Sequence, residues 1–149
     1  MPRRVRAPEV PVSQELDVRV RDCRAWCWLP GMLACAKDYG ELRIVRVRGG
    51  CVTAWSDERG RLERYGHAGL KPVLSDAATA GAIDARMRGV LAKVLVEQSW
   101  VGVTDCIDFA TISIFGQAWR GALFSCRAAS RGVRASECLL WAAAQLGQE

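Results

Sequence analysis

A helical stripe in the middle of the chain constrains the fold most. Its six apolar members follow the i, i+4, i+7 spacing of one face of an amphipathic α-helix: Ile83, Met87, Val90, Leu91, Val94 and Leu95. Ser75 is predicted to cap this helix, and Asp76 in its first turn suits the helix dipole. Because such a stripe has to be buried, the chain needs a core built around this helix.

Three short strands are predicted before the helix. The segment Leu42–Arg48 is rich in β-branched residues, and Gly49-Gly50 is a turn that lets Cys51–Ser56 pair back on it. A second turn at 57–60 leads to Arg61–Tyr65. These strands predict an antiparallel meander whose apolar face is covered by a helix.

The flanking segments complete an α+β pattern. A first helix is predicted from Ser13 through Cys27, ended by Leu29-Pro30-Gly31. Later segments with strand character are Trp100–Val103, Ile107–Phe115 and Trp119–Cys126, with a turn at Gly116-Gln117, and a last helix runs from Ser136 to Gly147. We therefore predict one α+β domain over residues 13–149, in the order α-βββ-α-ββ(β)-α, with antiparallel sheets covered by helices. Residues 1–12, with three prolines and three arginines, are predicted to be a flexible basic arm.

Composition excludes some classes of protein without selecting an activity. Half of the 149 residues are hydrophobic and a quarter are charged, which is typical of a globular domain rather than a disordered chain. No long apolar run predicts a membrane span. The net charge of +5 resides in residues 1–75, where 14 basic residues face 9 acidic ones, whereas residues 76–149 carry 7 of each. A basic half suits either a solvated face or an anionic partner.

The seven cysteines indicate free thiols in a reducing compartment. Seven is an odd number, and no secretory signal precedes them, so we predict a cytoplasmic protein whose thiols pack as small hydrophobic groups. Cys23, Cys27, Cys35 and Cys51 lack the close pairing of structural zinc ligands. We predict no metal site and no cofactor.

Catalytic residues are hard to nominate. His67 is the only histidine and lies in a glycine-flanked loop, where a surface position is expected. Asp105 and Asp108 have no third carboxylate near them in sequence, so turn chemistry explains them better than metal binding or acid–base catalysis. No phosphate-loop, dinucleotide, metalloprotease or nucleophile-elbow motif occurs. The sequence favours a protein that is not an enzyme.

Tryptophan and arginine point instead to a binding surface. Both residue types are enriched in interface hot spots, and six tryptophans in a chain of this length are many to bury. Trp26 and Trp28 lie two residues apart near a predicted helix end, so they are not expected to enter the same core pocket. We predict that Trp26 or Trp28 contacts a partner together with Arg46 and Arg48, which share a strand face while Arg43 lies on the other.

Three short segments resemble small, uncharacterised proteins of bacteriophages and prophages from GC-rich hosts. Trp26-Cys27-Trp28-Leu29-Pro30-Gly31-Met32 is similar to their W-x-W-M-P-G-M opening, and Leu74-Ser75-Asp76-Ala77-Ala78-Thr79-Ala80-Gly81 to their L-x-D-P-A-T-x-G helix entrance, with Ala77 in place of proline. The segment from Ala135 to Ala143 is similar to their closing helix. The resemblance implies a phage or prophage origin and carries over no activity and no functional residue.

Two functions follow as hypotheses. The first is a non-catalytic, phage-derived accessory protein that binds and modulates a host protein complex, such as a defence or nucleic-acid-processing system. The alternative is a nucleic-acid-binding module that uses the basic first half, through Arg3, Arg4, Arg6, Arg43, Arg46 and Arg48. A small hydrolase or transferase ranks last. Edge-to-edge pairing of the meander into a homodimer stays open.

Overall fold

The computed structural model describes residues 15–97, 104–107, 111–115, 122–128 and 130–147. The helices in these ranges are α1 (Leu16–Asp22), α2 (Ala77–Glu97) and α3 (Arg131–Gln145). The strands are β1 (Leu33–Ala36), β2 (Gly40–Arg48), β3 (Cys51–Ser56), β4 (Arg61–Gly66), β5 (Leu70–Pro72), β6 (Thr104–Ile107), β7 (Thr111–Phe115) and β8 (Ala122–Arg127). The predicted class, a single α+β domain with antiparallel sheets and helices packed on them, is confirmed. The predicted arm at residues 1–12 lies outside the described residues.

The first sheet has five antiparallel strands in the order β4-β3-β2-β1-β5. Its central strands β2, β3 and β4 are the three predicted from sequence, with β2 two residues longer at its start and β4 one longer at its end. Strands β1 and β5 were not predicted from the sequence. Strand β1 has four residues, three of them small, and β5 has three residues and ends at a proline, so neither carries a clear alternating pattern.

The connection between the two edge strands forces this sheet to curve. Gly66, the last residue of β4, pairs with Cys51, which pairs with Arg48 at the end of β2. Leu70, the first residue of β5, pairs with Ala36, which pairs with Gly40 at the start of β2. Gly66 and Leu70 therefore lie at opposite ends of β2. In a flat sheet with strand spacings of ~4.8 Å and rises of ~3.4 Å per residue, Gly66 and Leu70 would lie more than ~30 Å apart. The chain between them is only the 3-10 turn His67–Gly69, and four Cα steps reach at most ~14 Å. The sheet must therefore fold back on itself, and β2 contains a bulge between Ile44 and Arg46 that helps it bend.

The second sheet has three antiparallel strands in the order β6-β7-β8. The predicted continuous strand Ile107–Phe115 is wrong, because β6 ends at Ile107 and β7 pairs back on it from Thr111. Of the strand predicted from Trp119 to Cys126, the described part begins at Ala122 and forms β8. The predicted strand Trp100–Val103 and the turn Gly116-Gln117 lie outside the described residues.

Several helix boundaries differ from the predicted ones. Helix α1 ends at Asp22 rather than near Leu29, and α3 begins at Arg131 rather than Ser136. Ser130 caps α3, because its side chain accepts a hydrogen bond from the Val133 backbone N–H. Asp76, not Ser75, caps α2: its carboxylate accepts from the backbone N–H of Thr79 at 3.0 Å.

Two apolar clusters stabilise the domain. The helical core combines the three helices with Phe124 and Cys126 of β8, and the part of the predicted α2 stripe within residues 83–94 lies in it, with Ile83 and Met87 fully buried. The sheet core lies inside the curved sheet and includes Leu42, Ile44 and Val52. Trp26 packs against both clusters, so the two cores meet at the segment that follows α1.

Candidate functional site

The bulge in β2 decides which side chains of this strand face outward. Leu42 and Ile44 are buried before the bulge, and Val47 packs against the sheet core after it. The extra residue, Val45, shifts the alternation by one position. Arg43, Arg46 and Arg48 therefore lie on the same outward side, and the prediction that Arg43 faces the opposite way is wrong.

Strand pairing brings these positions together with exposed residues of β3 and β4. Arg43 pairs with Trp55, which pairs with Leu62. Arg46 pairs with Thr53, which pairs with Arg64. We call the following set the outer face: Val45, Arg46, Arg48, Thr53, Trp55, Leu62 and Arg64.

Three large apolar side chains are exposed on the outer face. Val45 is 49% exposed, Trp55 40% and Leu62 53%. The indole N–H of Trp55 donates to Asp57 Oδ1 at 2.8 Å, which fixes the orientation of the ring and leaves its apolar surface toward solvent. An exposed cluster of this kind, rimmed by polar groups, is typical of an interaction site.

The outer face is basic: none of the seven residues that define it is acidic, and the neighbouring Asp57 carboxylate accepts a hydrogen bond from Trp55. Arg46, Arg48 and Arg64 make no hydrogen bond or ion pair with any residue that the structure describes. Several arginines elsewhere are neutralised: Arg59 and Arg61 by Glu63, and Arg88 and Arg131 by Asp84. The outer face therefore offers guanidinium groups that remain available to an anionic partner.

Arg43 has a structural role instead. Its guanidinium makes two hydrogen bonds to the Asp76 carboxylate, at 2.9 and 3.1 Å, and a third to the Gly31 carbonyl at 2.9 Å. The hydrogen bond from Arg43 lowers the pKa of Asp76, and those from Thr79 act in the same direction. Of the proposed nucleic-acid contacts, Arg43 is thus occupied within the fold, while Arg3, Arg4 and Arg6 lie outside the described residues.

Trp26 and Trp28 lie on the other side of β2. Their rings touch edge to face, with centroids 5.1 Å apart at 89°. The prediction that the two side chains avoid a common pocket was based on a helix in this segment. Helix α1 ends at Asp22, so Trp26 and Trp28 are not helical and their side chains can meet. Trp28 is only 4% exposed and Trp26 is partly buried, so Arg46 and Arg48 are not brought beside them on one surface. The partner-contact role of these four residues stays a prediction.

Both tryptophans line a cleft of about 480 Å³ between the end of α1, the β2–β3 turn and the 3-10 turn. Cys27 and His67 also line it, yet no hydrogen bond joins the thiol to the imidazole, and His67 Nε2 is buried without a partner among the described residues. The cleft therefore shows no thiol–imidazole pair of the kind that activates a cysteine nucleophile.

The described part of the chain offers little support for a metal site or a reactive thiol. It contains no group of three or more metal-ligating side chains that could hold an ion. The thiol of Cys126 is buried in the helical core, where burial and then the charge of Glu137 raise its pKa to about 11, so it stays protonated and unreactive. The side chains of Asp105 and Asp108 lie outside what the structure describes.

Five residues of the outer face were not predicted from the sequence: Val45, Thr53, Trp55, Leu62 and Arg64. Alternation along β3 contains the signal for Trp55, because Val52 and Ala54 are apolar and buried, which leaves Trp55 on the opposite side.

Among the described residues, no helix is long and apolar enough to cross a membrane. Comparison with protein-family models, curated proteins and solved structures finds no match to this chain.

Proposed function

We propose that the protein is a non-catalytic accessory protein that binds and modulates a protein complex in the host cytoplasm, such as a defence or nucleic-acid-processing system. The observation that carries this proposal is the exposed apolar cluster Val45, Trp55 and Leu62 on the outer face. Apolar centres with arginine at the rim are the usual anatomy of protein–protein interfaces. The outer face replaces Trp26 and Trp28 as the proposed contact surface, and Arg46 and Arg48 remain in it.

The proposed phage or prophage origin rests on the three motif segments. Several residues in those segments support the fold: Trp28 and Met32 lie in the sheet core, Leu139 lies in the helical core and Asp76 caps α2. We infer that the resemblance concerns a shared architecture.

Nucleic acid is the second candidate partner. The three unpaired arginines of the outer face favour it, because guanidinium groups bind phosphate well. The outer face argues against it, since Trp55 is the single aromatic residue there and successive bases need successive rings to stack on. A protein partner therefore fits the face better.

The proposal is tested by capture from host cells, with variants that keep the fold. We expect tagged wild-type protein to retain a defined complex after nuclease treatment, and Trp55→Ser with Leu62→Ser to lose it. Leu29→Ser is the matched control, because Leu29 is 42% exposed but lies outside the outer face. The captured complex is then rebuilt from purified components and its affinity measured for the same variants. Equal affinity for wild type and the Trp55/Leu62 variant contradicts the proposal.

A further inference from the structure

We propose that the outer face takes an acidic polypeptide segment of the partner. This inference rests on the proposed function and specifies the chemistry of the bound segment. Carboxylates of that segment bind Arg46, Arg48 and Arg64. An apolar side chain between those carboxylates packs against Trp55 and Leu62.

The distribution of unpaired arginines supports this assignment. Within the described residues, five arginines make no hydrogen bond or ion pair: Arg24, Arg46, Arg48, Arg64 and Arg127. Three of these five lie on one face of three adjacent strands. No acidic residue occupies the outward positions between them. Like charges that are held together without a counter-charge repel one another, and an anionic partner relieves that repulsion.

The spacing of the arginines suits a short segment. Arg46 and Arg48 are two residues apart on β2, or ~7 Å, and Arg64 is two strands from Arg46, or ~10 Å. Arginine side chains are long enough to converge on carboxylates over such distances, and each planar guanidinium binds a carboxylate through two parallel hydrogen bonds.

The apolar residues select a polypeptide over a nucleic acid. Only Trp55 among the outer-face residues is aromatic, so the face lacks the successive rings on which bases stack. Val45 and Leu62 are aliphatic and exposed, and they match aliphatic or aromatic side chains of a protein segment.

The test uses three fluorescein-labelled probes and fluorescence anisotropy. The first is a twelve-residue peptide of leucines separated by pairs of glutamates, the second has glutamine in place of glutamate, and the third is a twelve-nucleotide oligo-dT. We expect the acidic peptide to bind best and to lose affinity as salt rises. Arg46→Glu with Arg64→Glu should weaken its binding at least ~tenfold, since each removes a charge-assisted contact and adds repulsion.

Matched variants keep the result interpretable. Arg24→Glu with Arg127→Glu makes the same change in net charge at unpaired arginines outside the outer face, and we expect it to change the affinity by less than ~twofold. Arg46→Gln with Arg64→Gln, checked by circular dichroism, separates loss of contact from any effect of the new glutamates on folding.

Four outcomes overturn the inference. They are equal binding of the glutamine peptide, tighter binding of oligo-dT, equal weakening by the Arg24/Arg127 control, and no binding of the acidic peptide at millimolar concentration. If the captured host complex depends on Trp55 and Leu62 but is indifferent to Arg46 and Arg64, the proposed function stands and this inference fails.

Discussion

Asp76 connects helix α2 to the curved sheet. Its carboxylate accepts hydrogen bonds from the Thr79 backbone N–H at 3.0 Å and from the Thr79 hydroxyl at 2.9 Å, while Arg43 of β2 contributes two more. The Thr79 hydroxyl oxygen in turn accepts from the backbone N–H of Leu33 in β1 at 2.8 Å. One carboxylate therefore caps a helix and fixes that helix against two strands.

We expect Asp76→Ala to lower the free energy of unfolding by about 2 kcal/mol, because it removes a helix cap worth about 1 kcal/mol and a partly exposed ion pair worth up to about 1 kcal/mol. Ser75→Ala is the matched control and should change stability by less than ~0.5 kcal/mol, because no hydrogen bond of the Ser75 side chain occurs within the described residues. Urea denaturation at pH 7 measures both. Equal losses in the two variants would mean that Asp76 is not the cap.

The pH dependence of this carboxyl group has a definite sign. Its pKa in the folded protein lies below the ordinary 3.8, chiefly because of the hydrogen bond from Arg43. The stability that it contributes is therefore fully present above that ordinary value and is lost as the pH falls through the lowered pKa. We expect the difference between wild type and Asp76→Ala to shrink below about pH 4, measured by urea denaturation across the acid range. A difference that stays constant down to pH 2 would contradict this assignment.

At the scale of elements, the first turn of α3 packs closely on the chain that enters α2. A Cβ added to Gly132 would lie 1.8 Å from the Leu74 carbonyl oxygen. Glycine is thus required at this point for helix α3 to approach the 73–76 turn.

Gly132→Ala and Gly89→Ala form a matched pair of helix substitutions. We expect Gly132→Ala to destabilise the protein by about 3 kcal/mol, because the helix has to move away from a backbone atom. Gly89→Ala should stabilise it by about 0.5–1 kcal/mol, because its Cβ meets nothing within 4 Å and alanine favours the helix. Thermal unfolding followed by circular dichroism compares the two. A neutral Gly132→Ala would contradict the close approach.

At the scale of the whole molecule, two cores share a boundary. Trp26 packs against both clusters, and Arg86 of α2 donates to the Ala25 carbonyl at 2.5 Å in the segment that leads from α1 to the sheet. With the contacts of Asp76, these interactions connect the curved sheet to the helices. Domains connected in this way unfold cooperatively.

We expect Leu42→Ala in the sheet core and Met87→Ala in the helical core each to cost about 2–5 kcal/mol, because both side chains are fully buried. Each variant should still unfold in one transition, with coincident curves from far-ultraviolet circular dichroism and tryptophan fluorescence. Two separated transitions in either variant would show that the cores are independent units.

Local patterns in the sequence were sufficient for much of the fold. The stripe on α2 and the three central strands follow from side-chain periodicity and turn glycines, which are properties of neighbouring residues. The short strands β1 and β5 were not predicted, because they have too few residues to show a period. They form through pairing with strands elsewhere in the chain. The start of α3 depended on the Ser130 cap, which periodicity does not encode.

By itself, the sequence determined the α+β class, the basic first half and the presence of tryptophan and arginine suited to binding. Only the tertiary structure decided which of them share a surface. The bulge at Val45 shifted the alternation of β2, strand pairing placed Trp55 and Arg64 on the same face as Arg46, and Asp76 engaged Arg43 from 33 residues away. These juxtapositions depend on register and on long-range contacts, which join residues far apart in the chain and leave no local pattern in the sequence.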